Sequence, residues 1–184
     1  RCDALMFLEI LLIVALTIVN GLLAMSELAV VSARPARLAS MAEKGDRGAQ
    51  AALALLAQPG KFLSAVQIGI TLVGVLLGAV SGATLGLRAG AALVAAGVPY
   101  GLAQTLGVFL VVAAITALSV IIGELVPKQI AMSNPERLAA RVAPSMTLLG
   151  RIGTPLVWLL DNAARLVLRL AGIRDSTDRA ITDE

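Results

Sequence analysis

Histidine is absent from the 184 residues, and cysteine occurs once, as Cys2. Zinc and haem sites depend mainly on these two residue types, and Ser-His-Asp or Cys-His catalysis needs a histidine. A lone cysteine also excludes a disulfide within the chain. The phosphate-binding pattern G-x-x-x-x-G-K-[ST] is missing as well. We therefore predict that the protein is not an enzyme.

Charged residues are scarce too. They make up 15% of the chain, whereas 58% of its residues are hydrophobic and the mean hydropathy is +0.90. A water-soluble domain of this composition would expose far too much apolar surface, so the sequence predicts an all-α integral membrane protein. The net charge of +3 does not indicate a nucleic-acid partner. The basic residues lie at the ends of apolar runs and form no patch interleaved with aromatic residues.

Three long apolar runs predict three transmembrane helices, over about residues 4–33, 62–87 and 102–125. The first run would measure roughly 45 Å as a helix, against a hydrocarbon core of ~30 Å, so it tilts, bends or ends near Ser26 and Glu27. A signal peptide is the alternative, but its apolar region should be only about 7 to 15 residues long. The glycine- and proline-broken stretch after Arg88 predicts a short hairpin or a half-inserted segment.

The distribution of basic residues predicts the orientation of the chain. The loop after the first run should be cytoplasmic, because short cytoplasmic loops retain an excess of Lys and Arg. It also contains a predicted short helix, Ala49 to Leu56, followed by the Pro59-Gly60 turn signal. The loop between the second and third runs carries only Arg88, which places the N-terminus outside and the C-terminus inside. The basic residues of the first loop are Arg34, Arg37, Lys44, Arg47 and Lys61.

The segment of about residues 134–172 is still hydrophobic, but it contains charged residues that make a fourth transmembrane helix unfavourable. Each charge would cost about 2.5 to 3.5 kcal/mol near the bilayer centre. From Leu156 onward, apolar residues recur at helical spacing opposite Asp161, Arg165 and Arg169. This pattern predicts amphipathic juxtamembrane helices at the interface. We assign residues 1–172 to the membrane domain and the polar residues 173–184 to a linker.

The third run ends in GELVPK, which places a carboxylate and a helix breaker near the membrane boundary. Pro127 lacks the N–H that would bond the Gly123 carbonyl, so we expect that oxygen to be free beside Glu124. Broken helices at membrane depth commonly coordinate ions. The alternative is that Glu124 and Lys128, at i and i+4, only form an ion pair that ends the helix.

The first run brings further oxygen atoms to a similar depth. Asn20 and Glu27 share a helix face, and Ser26 adjoins Glu27. Ionisable residues inside a membrane are candidates for a functional site. Oxygen ligands without histidine or thiolate suit Mg²⁺, Ca²⁺ or Na⁺.

The second run has no charge and is rich in glycine. Its small and weakly polar residues fall on one helix face, and glycines spaced in this way let two helices approach closely. We predict helix packing through Gly74, Gly78 and Gly82. The alternative is a face shared between packing and a polar pathway that includes Gln67 and Thr71.

Three segments in this order carry a family resemblance: SELAVVSARPARL, VQIGITLVGVLLGA and GELVPKQIAMSNPERLA. They resemble the membrane domain of the CNNM/CorC family, the DUF21 domain of magnesium exporters, over nearly the whole chain. The resemblance implies a homodimer of three-span subunits with a belt of cytoplasmic helices in the bacterial inner membrane. It also implies export of Mg²⁺ in exchange for Na⁺, and cytoplasmic CBS domains that bind ATP and lie outside this sequence.

Carried over by motif, the resemblance implies an ion site formed by Ser26, the second span near Gly69 to Gly74, and Gly123 with Glu124. One difference stands out, because Gly69-Ile70-Thr71-Leu72-Val73-Gly74 lacks the asparagines of the related GN-T-x-x-N pattern. This is closer to the hemolysin-like, polyamine-exporting branch. The predicted metal ligands are Ser26, Glu27, Thr71, Gly123 and Glu124; the predicted cation pathway adds Asn20, Gln67, Gly74 and Ser119; Pro127 and Lys128 are predicted structural residues.

These observations leave three functions open. The first is a secondary transporter that exports Mg²⁺, and the second is an exporter of polyamines, which need similar carboxylates but fewer dehydrating ligands. The third is a scaffold or sensor that transports nothing and only brings cytoplasmic domains together.

Overall fold

The computed structural model describes residues 2–170, which form helices joined by short turns and contain no strand. This confirms the predicted all-α fold. The helices are α1 Cys2–Ser32, α2 Pro35–Glu43, α3 Arg47–Ala57, α4 Pro59–Ser81, α5 Leu87–Ala95, α6 Tyr100–Val120, α7 Val126–Ser133 and α8 Pro135–Leu170. Two short π-helical turns, Gly82–Gly86 and Ile121–Leu125, join α4 to α5 and α6 to α7.

Three continuous helical stretches are long and apolar enough to cross a membrane: Met6–Ser32, Pro59–Ala95 and Tyr100–Ser133. They coincide with the three predicted spans, although the second and third are longer than predicted. The segment predicted as a separate short hairpin or half-inserted segment is neither, because α5 continues the second span to Ala95 and α6 begins the third at Tyr100. Together α5 and α6 form a helical hairpin. Its turn needs a left-handed residue, and Gly97 supplies it with φ of +92°. We call the end of the bundle that holds this turn the hairpin end.

Pro127 does not break the third span, contrary to the prediction. In the π-helical turn before it, the Val126 N–H donates to the Ile121 carbonyl, five residues back. Pro127 then falls in the first turn of α7, where a missing N–H is tolerated. The helix therefore continues to Ser133 instead of ending near Leu125.

The helices α2, α3 and the first half of α8 pack together at the end of the spans opposite the hairpin end. Asp46 begins α3 by accepting hydrogen bonds from the N–H groups of Gly48 and Ala49, at 2.8 and 3.1 Å. Gly48 lets α3 touch α8, since a Cβ at this position would overlap the Ala140 carbonyl. The short helix predicted after the first span is confirmed as α3.

The segment predicted as several amphipathic helices is one helix, α8, of 36 residues. Its first half buries Ala139, Ala140 and Ala143. In its second half, large apolar side chains are exposed, as an interfacial helix requires; among them are Leu156, Trp158, Leu159, Leu166 and Val167. The predicted linker, residues 173–184, lies outside the described residues.

The buried core lies around the second half of α1, and small side chains dominate it. Ala24, Ala29 and Val30 of α1 are buried, together with Leu38 of α2 and Val66 of α4. The outward faces of the spans carry large exposed apolar side chains, including Phe7, Val75 and Phe109. An apolar exterior of this kind suits lipid as the surrounding solvent.

Candidate functional site

The first span meets the third span at Asn20 and Gly123. The Asn20 Nδ2 donates a hydrogen bond to the Gly123 carbonyl at 3.1 Å. Only a glycine fits here without displacement, because a Cβ on Gly123 would lie 3.2 Å from that Nδ2 and 3.3 Å from the Thr17 carbonyl. Gly21 makes a second close approach, to the Pro127 ring, whose Cγ lies 3.1 Å from where a Cβ on Gly21 would stand. The two glycines thus seat α1 against the π-helical turn and its proline.

The Gly123 carbonyl is therefore not free, and the prediction is corrected on this point. Pro127 has no N–H to offer this oxygen in an α-helical bond. The amide of Asn20 occupies the oxygen instead. The sequence singled out the right carbonyl, but its partner is a side chain of another span.

The other polar atom of Asn20 has no partner. Asn20 is 6% exposed, and its Oδ1 accepts no hydrogen bond from the described residues. A carbonyl oxygen only accepts, so the amide NH₂ has to face Gly123 and Oδ1 has to point away. Leaving a buried acceptor unpaired costs about 1 to 3 kcal/mol. A cation, an ammonium group or a water molecule would relieve this cost, which makes Asn20 a candidate ligand between the first and third spans.

Glu124 is paired with Lys128. The Lys128 Nζ lies 2.7 Å from the Glu124 Oε1, and both side chains are about one-third exposed. The ion pair considered as the alternative does form, but it does not end the helix, which continues through α7. A cation that approached Glu124 would have to compete with the ammonium group of Lys128.

Ser26 and Glu27 lie further along α1. Ser26 is buried, and its hydroxyl donates to the Leu22 carbonyl of its own helix at 2.6 Å. Glu27 is half-buried and forms no ion pair within the described residues. It follows Asn20 by two helical turns on the same face, about 10 Å along the axis. Glu27 is therefore an unpaired carboxylate on the face that carries Asn20.

The structure does not bring Thr71 to these residues within one chain. Gly69 faces α1, since a Cβ there would lie 3.1 Å from the Cδ1 of Leu23. Residues two apart on a helix are about 200° apart, so Thr71 faces away from α1. Thr71 is exposed, and its hydroxyl donates to the carbonyl of Gln67, which is exposed as well.

Only one of the three glycines predicted to pack, Gly74, Gly78 and Gly82, lies against another helix of the chain. Around Gly74 and Gly78, an added Cβ would meet nothing within 4 Å. At Gly82 it would lie 3.2 Å from the Cγ2 of Val112 on α6. Of the glycines predicted to pack, Gly82 alone therefore contacts another helix of the same chain.

The close packing of α5 and α6 involves glycines that were not predicted to pack. A Cβ on Gly86 would lie 2.9 Å from the Cα of Val108, and one on Gly107 would overlap the backbone of Gly90. The signal was visible for two of them, because the spacing of four residues from Gly74 continues to Gly86 and Gly90. Gly86 lies within the predicted second span, and Gly90 lies beyond its predicted end at Leu87.

An ion pair near the hairpin end was also missed. The Arg88 Nη2 lies 3.3 Å from the Glu9 Oε2 and joins the first span to the second. Both residues belong to stretches that are apolar enough to span a membrane. Helical spacing rules do not link residues so far apart in sequence, so the two charges looked unrelated.

Carboxylates are few at each of these places. Among the described residues, no group of three or more His, Cys, Asp or Glu side chains lies close enough to hold a metal ion. The first and third spans instead offer an amide oxygen, hydroxyls and single carboxylates. Such a set suits a cation that keeps part of its hydration shell, as Mg²⁺ usually does in proteins.

Comparison with known proteins places these features in a family. A family model described as the cyclin M transmembrane N-terminal domain, CNNM, matches residues 11–184. The UPF0053 protein sll0260 of Synechocystis sp. is 48% identical over 177 residues, which cover 96% of this chain and 40% of that protein.

Two proteins named polyamine export protein are also similar. The one from Haemophilus influenzae is 30% identical over 97% of this chain and 41% of its own length. The one from Escherichia coli K12 is 31% identical over 88% of this chain and 36% of its own length. The chain thus spans less than half the length of these curated relatives. The resemblance seen in the three motifs is confirmed: the chain is a membrane protein that belongs to the CNNM family.

Proposed function

We propose that the chain is the membrane domain of a cation exporter, and that the cation binds beside Asn20 between the first and third spans. One observation carries this proposal: the Asn20 Oδ1 is buried within the first span and accepts no hydrogen bond from the described residues. Its orientation is fixed by the bond from Nδ2 to Gly123. A preorganised, unpaired oxygen is what a cation needs when it gives up part of its hydration shell.

Mg²⁺, exported in exchange for Na⁺, is the first cargo that we propose. The donors suit a hard cation, and Glu27 supplies a negative charge on the same face of α1 as Asn20. The Ser26 hydroxyl oxygen keeps its acceptor lone pairs although it donates to Leu22. ATP would act only through CBS domains of the longer protein.

A polyamine is the second candidate, and two observations favour it. Two relatives that match most of this chain are named polyamine export proteins. In addition, Glu124 already binds an alkylammonium group, that of Lys128, at 2.7 Å. The ammonium group of a polyamine has the same chemistry and forms hydrogen bonds with amide and carboxylate oxygens.

Flux measurements in sealed vesicles that contain the purified chain test these proposals. Mg²⁺ flux driven by a Na⁺ gradient would identify the first cargo, and putrescine flux would identify the second. Absence of both fluxes would favour the scaffold hypothesis and contradict cation export. Asn20→Ala should abolish the flux that is found, whereas Asn134→Ala, which removes an exposed amide at the junction of α7 and α8, should leave it unchanged.

A further inference from the structure

An open pocket of about 320 Å³ lies where the first and third spans end. Ser32, the last residue of α1, and Ser133, the last residue of α7, both line it. A second open pocket, of about 420 Å³, lies beside it and shares Arg37 and Glu136 in its lining. We call the two together the basic pocket. Ser32 follows Asn20 by twelve residues, which places the basic pocket about 18 Å along α1 from the candidate cation site.

Arginine dominates the charges of the basic pocket. Arg34, Arg37 and Arg137 line it, whereas Glu136 is the one carboxylate among the described lining residues. Glu136 is 8% exposed, and its Oε2 lies 3.8 Å from the Arg37 Nη1, so this carboxylate already has a cation beside it. Arg34 and Arg137 are exposed and form no ion pair with any described residue. The pocket therefore offers two guanidinium groups that have no counter-ion in the described part of the chain.

The basic pocket lies at the level where the membrane meets water. The stretches that are apolar enough to cross a membrane end at Ser32 and Ser133, and both residues line the pocket. The headgroups of phospholipids occupy this level, just outside the hydrocarbon core. Met132, on the membrane side of Ser133, also lines the pocket and is 64% exposed. The pocket thus combines positive charge with an exposed apolar side chain at the membrane boundary.

We propose that the basic pocket binds the phosphate group of an anionic phospholipid through Arg34, Arg37 and Arg137. Guanidinium groups form paired hydrogen bonds with phosphate oxygens, and basic pockets beside transmembrane helices bind lipid headgroups in this way. A soluble phosphate ester would satisfy the same arginines. The level of the pocket and the exposed Met132 favour the lipid, because Met132 offers an apolar surface for an acyl chain. An open pocket also suits a ligand that enters sideways from the bilayer.

A lipid bound in this way would bridge two helices. Arg34 and Arg37 lie at the start of α2, and Arg137 lies in the first turn of α8. The Arg37–Glu136 ion pair already joins these helices, but the Arg37 side chain is 66% exposed, so the pair contributes little to stability. The phosphate would add a second bridge where α2 and α8 meet the ends of the spans. This inference goes beyond cation export and does not depend on the identity of the cargo.

Lipid binding to the purified chain in a zwitterionic detergent tests the proposal. Native mass spectrometry gives the dissociation constants of phosphatidylglycerol, which is anionic, and of phosphatidylcholine, whose headgroup has no net charge. We expect phosphatidylglycerol to bind about tenfold more tightly, because arginines near lipid phosphates favour anionic headgroups. Equal affinity for the two lipids would overturn the proposal without the need for any variant.

A double variant tests whether the basic pocket is responsible for this preference. Arg34→Gln with Arg137→Gln should abolish the preference and leave the melting temperature unchanged, because neither arginine pairs with a described carboxylate. Lys44→Gln with Arg47→Gln is the matched control, since it removes the same charge from exposed positions outside the pocket. The control should keep the preference. A preference that survives in the first variant, or that is lost equally in the control, would contradict a site at the basic pocket.

Glycerol 1-phosphate identifies the source of the phosphate group, because it has a phosphate but no acyl chain. It should bind much more weakly than phosphatidylglycerol and should not displace it. Binding as tight as that of the lipid would assign the pocket to a soluble phosphate ester and overturn the lipid proposal. None of these measurements involves Mg²⁺ or putrescine, so a failure of cation export and a failure of lipid binding are distinguished.

Discussion

At the scale of single residues, the NH₂ group and the oxygen of the Asn20 amide have different roles. The NH₂ group holds the third span through the Gly123 carbonyl, and the oxygen, which accepts no hydrogen bond from the described residues, is the proposed cation ligand. Asn20→Leu keeps the branched shape of the side chain but leaves that carbonyl without the amide donor. The cost of this unpaired carbonyl, about 1 to 3 kcal/mol, is offset by removal of the unpaired Oδ1, so we expect a small net change in stability and a loss of cation binding.

Melting temperatures and calorimetric titration with MgCl₂ and with putrescine check this prediction. Thr17→Val is the matched control, because the Thr17 hydroxyl bonds only the Ile13 carbonyl of its own helix. It should change both quantities little. Undiminished cation binding in Asn20→Leu would remove Asn20 from the site.

The Glu124–Lys128 pair gives a second prediction at this scale. A partly exposed ion pair contributes only about 0.2 to 1 kcal/mol to stability, so neither Glu124→Gln nor Lys128→Gln should unfold the protein. If Lys128 competes with the cargo for Glu124, Lys128→Gln should tighten cation binding and Glu124→Gln should weaken it. Calorimetric titration of both variants measures this. Equal and small effects on binding would mean that the pair is only structural.

The sequence allowed one of these two contacts to be predicted. Glu124 and Lys128 are four residues apart on one helix, and that spacing is enough to suggest their pairing. The bond from Asn20 to Gly123 joins two spans and depends on how each is rotated about its axis. Nothing local in the sequence determines that rotation. The same reason explains why the pairing of Glu9 with Arg88 was missed.

At the scale of secondary-structure elements, the hairpin of α5 and α6 depends on Gly107. A Cβ at this position would overlap the backbone of Gly90, which has no flexible end that could move aside. We expect Gly107→Ala to destabilise the protein. Overpacking a core typically costs about 1 to 3 kcal/mol, and the loss here should be at least of that size. Gly78→Ala is the control, since its Cβ would meet nothing; it should be neutral or stabilising by about 0.5 to 1 kcal/mol. Thermal melting in detergent compares the two, and similar melting temperatures would contradict this account of the packing.

Hydropathy located the spans but not their ends. The third span was predicted to end near Leu125 because proline normally disrupts an α-helix. The π-helical turn that accommodates Pro127 adds one residue to a turn and leaves no mark in hydropathy. The placement of Thr71 with Ser26 rested on a motif, whereas the contact between Gly69 and Leu23 turns Thr71 to the opposite side of α4.

At the scale of the whole molecule, the outward face of α4 is the surface on which we propose that a second copy packs. Gln67, Thr71 and Gly74 are exposed on it, and a Cβ added to Gly78 would meet nothing within 4 Å. A second copy packed there would bring Thr71 into an interface. Gly78→Leu should therefore reduce the dimer fraction in detergent without lowering the melting temperature of the single chain, whereas Leu76→Ala, off this face, should matter less. Light scattering after size-exclusion chromatography measures the dimer fraction, and equal effects of the two variants would argue against this interface.

The direction of the proposed transport depends on an orientation that the excess of basic residues predicts. Five basic residues lie between residues 33 and 62, near the end of the bundle opposite the hairpin end, whereas one, Arg88, lies near the hairpin end. In a Cys2→Ser background, Lys44→Cys should be labelled only from the cytoplasm and Ala96→Cys only from outside, because both positions are exposed, at opposite ends of the spans. Gly97 is unsuitable for the reporter, since its φ of +92° strains any other residue. The reverse labelling pattern would place Glu9 and Arg88 near the cytoplasmic side and would contradict the predicted orientation.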